Sequence, residues 1–135
     1  MVRSFTISTQ GQGLYNITAD VVAQLSDSQL ADGLCTVFVQ HTSASLIIQE
    51  NADPAVQDDL NNWLNRLVPE HDPLYTHTDE GPDDMPAHIK SVLTATSMSI
   101  PIMNGRLGLG IWQGIYLWEH RRRGQRRTII IHAGH

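Results

Sequence analysis

The densest run of chemically capable side chains is the segment 75–88, where two histidines, His77 and His88, accompany four carboxylates, Asp79, Glu80, Asp83 and Asp84. Neutral imidazole nitrogens bind divalent transition metals, and carboxylates complete the shell, orient the rings or accept protons. The spacing does not match His-Glu-x-x-His or another zinc signature. Two readings therefore stay open here. One is a metal centre. The other is a solvated acidic loop whose Asp83 and Asp84 favour the positive end of the helix that Pro86 opens.

Other candidates lie on either side. His41 interrupts an apolar stretch together with Thr42 and Ser43, whose hydroxyls suit a ligand or an anion; a lone histidine beside a core strand is more often a hydrogen-bonded structural residue. Asp53 reads as a helix N-cap, which leaves Glu50 as the freer carboxylate. Nearer the C-terminus, Gln113, Glu119 and His120 lie on or just beyond one long strand, 107–118. An unbroken strand would place Trp112 and Trp118 on one face and Gln113 and Glu119 on the other.

The elements that must position these groups have clear local signals. Residues 3–9 put Phe5 and Ile7 on one face and read as a half-buried strand, followed by a glycine turn and a short helix capped by Thr18. Residues 34–40 and 45–49 read as apolar strands flanking the His41 interruption. Asp53 and Pro54 then open the clearest helix, with Val56, Leu60, Trp63, Leu64 and Leu67 at helical spacing and a stop before Pro69. Residues 70–85 form a long polar loop, of a kind that is usually functional. The next helix, from Pro86, is expected to turn Ile89, Val92 and Leu93 inward. Segments 98–103, 107–118 and 128–131 complete the chain as a three-stranded meander, with turns at Asn104-Gly105 and around Gly124. Together these elements predict one α+β domain over residues 1–135, a mostly antiparallel, sandwich-like sheet core covered by about three helices.

Composition narrows the function classes. With 135 residues and 41% apolar content, the chain can bury a core without covalent staples. Cys35 is the only cysteine and sits among apolar neighbours, which reads as core in a reducing compartment. The N-terminus alternates polar and apolar residues, unlike a signal peptide, and no apolar run is long enough to cross a bilayer, so the expected location is cytoplasmic. The net charge of −5 disfavours nucleic acid as a partner. The charge is unevenly placed. The middle of the chain is acidic, whereas Arg121, Arg122, Arg123, Arg126 and Arg127 form a basic cluster suited either to phosphate groups or to a solvated hairpin tip.

Four phrases in order, Gln40-His-Thr-Ser-Ala-Ser45, Glu50-Asn-x-Asp-Pro54, Glu80-Gly-x-Asp-Asp-Met-Pro-x-His-Ile-Lys90 and Gly110-x-Trp-Gln-Gly-Ile115 followed by Glu119-His-Arg121, resemble the YjbQ-type family, often labelled secondary thiamine-phosphate synthase. The resemblance covers essentially the full chain. It implies a homotrimer with a metal-binding pocket near the subunit boundaries, with His41, His77 and His88 as ligands and Glu50, Gln113, Glu119 and His120 as catalytic neighbours. The label implies joining hydroxymethylpyrimidine diphosphate to thiazole phosphate, with Lys90 and Arg121 as the cations, and Thr42 and Ser43 as further substrate contacts. Histidines suit zinc or another transition metal, whereas diphosphate departure more often uses magnesium. Two other functions compete: a metal-assisted hydrolase of a small phosphorylated or acyl compound, and a trimeric metal- or ligand-binding protein without catalysis.

Overall fold

The structure, a computed structural model, describes Met1–His135. Two antiparallel sheets and a helical layer are stacked. The five-stranded sheet runs β1 (Val2–Ser8), β8 (Arg126–Gly134), β3 (Gly33–Val39), β5 (Ser97–Met103) and β6 (Arg106–Leu107); the three-stranded sheet runs β2 (Gly13–Asn16), β7 (Gln113–Glu119) and β4 (Ala44–Glu50). Helix α1 (Thr18–Leu25) contributes Val21 to the core between the sheets, with Val37, Val39, Ile129 and Ile131 from one and Leu46, Ile115 and Leu117 from the other. Helices α2 (Pro54–Leu67) and α3 (Asp84–Leu93) cover the outer face of the smaller sheet, where Leu64 and Val68 enclose Trp118 and Ile89 packs against them.

This layering explains the burial of the strands. β7 is the centre of a sheet covered on both faces, so residues 114–119 are all buried. β1 covers one face only and alternates along its length. Asp53 caps α2 as its sequence predicts, accepting from the Ala55 amide at 3.0 Å, with Pro54 in the first turn. Asn104 and Gly105 make the expected tight turn with φ of 52° and 76°, joining β5 to β6. Cys35 is fully buried, and burial pushes its thiol up to about 11.

Three expectations change. The last strands are not a meander: β5 and β8 flank β3 in the large sheet, while β7 crosses to the small one. The segment read as one strand over 107–118 breaks after Leu107, because Gln113 folds back to accept from the Gly110 amide at 2.7 Å, leaving Trp112 exposed and away from Trp118. Thr18 does not cap α1; its hydroxyl accepts from the Ile115 amide at 2.8 Å. The polar interruption at His41 also gains a structural meaning. It is the corner where the chain leaves β3 in one sheet for β4 in the other.

A buried ion pair closes the sandwich at this corner. Glu119, at the end of β7, is fully buried and meets Arg127 of β8 through Oε1 at 2.8 Å and Oε2 at 2.5 Å. Oε1 also accepts from the Thr9 hydroxyl at 2.8 Å, and Oε2 from the Arg121 amide at 3.1 Å. Arg127 reaches further, to the Ser43 carbonyl and hydroxyl. Removing one partner strands the other as an unpaired buried charge, so Arg127→Met is expected to lower the unfolding free energy by about 3–5 kcal/mol. The double replacement Glu119→Leu with Arg127→Met should recover much of that loss. Urea unfolding of the three proteins checks this, and a single variant as stable as the parent would contradict it.

Candidate metal centre

Asp84, the first residue of α3, lies at the centre of the acidic segment and is almost fully buried. Its Oδ2 lies 2.7 Å from Nε2 of His77 and 3.1 Å from Nε2 of His88, and the two imidazole rings stand edge to face with centroids 5.3 Å apart. One potential ligand atom from each of the three residues falls within 4.8 Å of the others. His88 reaches the cluster because it lies four residues after Asp84 on the same helix face. His77 arrives from the loop, which is pinned by the Tyr75 hydroxyl donating to the Pro69 carbonyl and by the Leu74 amide donating to Asp72.

Arg121 fixes the carboxylate from behind. Its NH1 donates to Asp84 Oδ1 at 2.7 Å, its Nε to Asp83 Oδ2 at 3.0 Å and its NH2 to the Glu80 carbonyl at 2.9 Å. The Arg122 amide adds a bond to Asp83. Gly81, at φ 104°, supplies the turn that brings the Glu80 carbonyl to this guanidinium. Burial pushes the Asp84 carboxyl up, but its bond with His77 and the charges of Arg121 and His88 outweigh that and hold it below the usual carboxylate range. Asp83 follows the same balance, with burial opposed by the Arg122 amide and Arg121. Neither acid acts as a solvated helix cap; Asp83 makes no side-chain capping bond to α3.

The hydrogen bonding of His88 fixes which ring nitrogen donates. Its Nδ1 lies 3.0 Å from the Thr42 carbonyl, which can only accept, so Nδ1 carries the proton. In a neutral ring Nε2 is then a bare lone pair, and it faces a carboxylate oxygen that also has only lone pairs to offer. A cation between them resolves the conflict, as does a second proton on the ring. Metal-binding histidines characteristically donate their other nitrogen to a backbone carbonyl, as His88 does here.

The other residues singled out from the sequence fall into separate places. His41 is not part of the cluster. Its Nε2 accepts from the Thr128 amide at 2.8 Å, which puts the proton of a neutral ring on Nδ1; burial, followed by Arg127, lowers its pKa. It shares a cavity with His88 and Thr42, and is placed to line it rather than to ligate alongside His77. Ser43 anchors Arg127. Glu119 has both oxygens filled by donors and offers no free lone pair to a substrate. Glu50 and Gln113 pair with each other in register at the opposite end of β4 and β7 from Glu119, about 20 Å along the strands. His120 is buried, with Nε2 2.8 Å from the Ser45 hydroxyl and Nδ1 without a partner. Lys90 is buried on another face of α3 and donates to Asn65 Oδ1 at 2.5 Å; burial lowers its pKa against the pull of Glu70 and Asp83. Arg121 is committed to the acidic turn. Asp84, the central acceptor, is the residue that sequence reasoning left in the supporting loop. Its signal was the four-residue spacing to His88.

The fold and site define a class: a two-sheet α+β domain carrying a two-histidine, one-carboxylate cluster where a loop meets a helix. Residues 3–135 match the family model described as UPF0047 protein YjbQ-like, and the chain belongs to this family. It is 59% identical over 127 residues to the UPF0047 protein sll1880 of Synechocystis, covering 94% of this chain and 86% of that one. It is 43% identical to the UPF0047 protein YjbQ of Escherichia coli O157:H7, covering 95% and 93% respectively. A crystal structure of an uncharacterized YjbQ/UPF0047-family protein from Clostridium acetobutylicum superposes with a TM-score of 0.89 at 34% identity, covering 98% of this chain and 99% of that one. These likenesses establish family and fold.

The buried histidine gives the fold a pH dependence. Burial, with Lys90 and Arg127 adding to it, lowers His120 from 6.5 to about 3, so an unfolded chain takes up a proton below 6.5 that the folded chain refuses. The contribution of His120 to stability is present above pH 6.5 and is lost as the pH drops toward 3. His41 shifts in the same direction. Urea midpoints measured from pH 7.5 down to 4 should decline, and His120→Gln, which keeps a partner for Ser45, should flatten the decline. Equal slopes in the two proteins would refute the assignment.

Proposed function

We propose that His77, Asp84 and His88 hold a divalent transition metal and that the protein is a metal-dependent hydrolase of a small phosphorylated or acyl compound. The observation that carries this reading is the convergence of His77 Nε2 and His88 Nε2 on one buried carboxylate oxygen, with the other nitrogen of His88 already bonded to Thr42. Two imidazoles and one carboxylate suit zinc, iron(II) and their neighbours better than magnesium, and three side-chain ligands leave part of the shell open. When bound, such an ion supplies Lewis acidity toward a phosphoryl or acyl oxygen and activates water.

The chain's own residues orient and balance the site. Thr42 sets the His88 tautomer, and Arg121 turns Oδ2 of Asp84 toward the histidines. A thiamine-phosphate synthase-like transfer is the second reading, supported by the resemblance of the four phrases to that family label. It would have to meet a departing diphosphate with an Arg121 already bonded to Asp83, Asp84 and the Glu80 carbonyl. No helix is long and apolar enough to cross a membrane. The reading places the protein in a reducing cytoplasm, supported by the buried thiol of Cys35, and as a homotrimer, supported by Val92, Leu93, Ile111 and Trp112, each more than half exposed.

Metal analysis after zinc loading should find one ion per chain, and His77→Ala or His88→Ala should weaken zinc binding by at least about 100-fold. Undiminished binding in both variants would remove the centre. A panel of phosphomonoesters and acyl esters should show chelator-sensitive release of a single hydrolysed product. Formation of thiamine phosphate from the two precursors, lost in His88→Ala, would instead favour the transferase.

A further inference from the structure

On another face of α3 from the histidine cluster, Lys90 lines a cavity of about 380 Å³ with Gln12, Asn65, Pro69, Glu70 and Arg122. The lysine is only 4% exposed. Of its three N–H groups, one donates to Asn65 Oδ1, a neutral acceptor, and no carboxylate pairs with it. A buried ammonium is ordinarily paired, because its desolvation cost is otherwise uncompensated. The surroundings hold the lysine in place rather than neutralise it. Asn65 donates to Gln12 Oε1 at 2.7 Å, Gln12 also accepts from Asn61 at 3.2 Å, and Asn61 accepts from the Trp118 indole at 3.0 Å. This chain of amides runs from the cavity into the packed layer beneath α2 and fixes the Asn65 oxygen toward Lys90. At the rim, Arg122 pairs through NH2 with Glu70, and its guanidinium has further donors.

We propose that this cavity is an anion-binding site that takes the phosphate or carboxylate group of a small molecule, with Lys90 supplying the missing counter-charge at its floor and Arg122 closing over it from the rim. Arg122 is already paired with Glu70 and Lys90 has no ion-pair partner of its own, so an incoming anion supplies the partner that Lys90 lacks. Lys90 and His88 stand two positions apart on one helix and so face different ways. The site is therefore separate from the histidine cluster and does not depend on the metal reading. Its natural occupant is a small phosphorylated or carboxylated metabolite, because the volume is that of a ligand pocket and not of a single water.

The test is calorimetric titration of chelator-treated protein with inorganic phosphate. Saturable binding is expected in the parent, weakened at least tenfold in Lys90→Met, and either no saturation in the parent or equal affinity in a folded Lys90→Met would overturn the site. Two surface variants keep the question decidable if Lys90→Met does not fold. Arg122→Gln should weaken phosphate binding several-fold, and Glu70→Gln, which releases Arg122 and removes the competing anion, should strengthen it. A purely structural lysine predicts no change in either, and that result overturns the proposal. Displacement of phosphate by acetate at comparable concentration assigns the site to carboxylates; failure to displace assigns it to phosphates. Zinc binding by Lys90→Met, measured separately, should match the parent, so that loss of the anion site and loss of the metal centre give different results.

Discussion

The buried Glu119–Arg127 pair determines more of this molecule than any other contact. Glu119 ends the central strand of the small sheet and Arg127 lies at the start of β8, an interior strand of the large one, so their bonds lock the two layers together at one end. Both oxygens of Glu119 are fully used, and one of them holds the Arg121 amide. That bond fixes the direction in which the chain leaves β7. Arg121 then projects to Asp83 and Asp84, and Asp84 gathers His77 and His88. The order of dependence runs from a structural ion pair, through one guanidinium, to the chemically capable cluster. A buried pair is weak evidence for stability in itself. Here it is better understood as specifying geometry, since the two oxygens of the acid together hold Arg127, Thr9 and the Arg121 amide.

Much of the fold is legible because its signals are local. The Asp53-Pro54 start of α2, the Asn104-Gly105 turn and the core placement of Cys35 each depend on a few adjacent residues, and each stands as the sequence implies. Sheet membership is not local. Nothing between residues 98 and 131 shows that β7 crosses to the other sheet while β8 inserts between β1 and β3, because those pairings join segments far apart in the chain, from Glu50 with Gln113 to Val2 with His132. The same limit separates Glu50 from Glu119: they lie on adjacent strands, but the register pairs Glu50 with Gln113, at the other end of β7.

Helix α3 shows why the site was only partly legible. Its apolar pattern predicts Val92 and Leu93 inward, yet both are exposed while Asp84, Lys90 and Ser91 are buried. Local hydrophobicity lost to specific pairing. Asp84 is held by Arg121, Lys90 by Asn65, and Ser91 donates to the Ala44 carbonyl at 3.3 Å. Violations of this kind concentrate where a fold gives up packing for function. Val92 and Leu93 are left on the outward face of the helix.

His41 and His88 illustrate the difference between residue type and chemical state. Both stand near the same corner and line one cavity, and composition alone treats them alike. The backbone separates them. An amide donates to His41, so the remaining nitrogen of a neutral ring carries the proton; a carbonyl accepts from His88, so the remaining nitrogen of a neutral ring is a lone pair. Only the second can face a metal without losing a proton. The corner between β3 and β4 thus supplies the decisive partner for His88 in the Thr42 carbonyl, and β8 supplies the one for His41 in the Thr128 amide. The chemistry of the cluster is set by which backbone groups the two-sheet crossover leaves unpaired, rather than by the number of histidines the sequence brings to it.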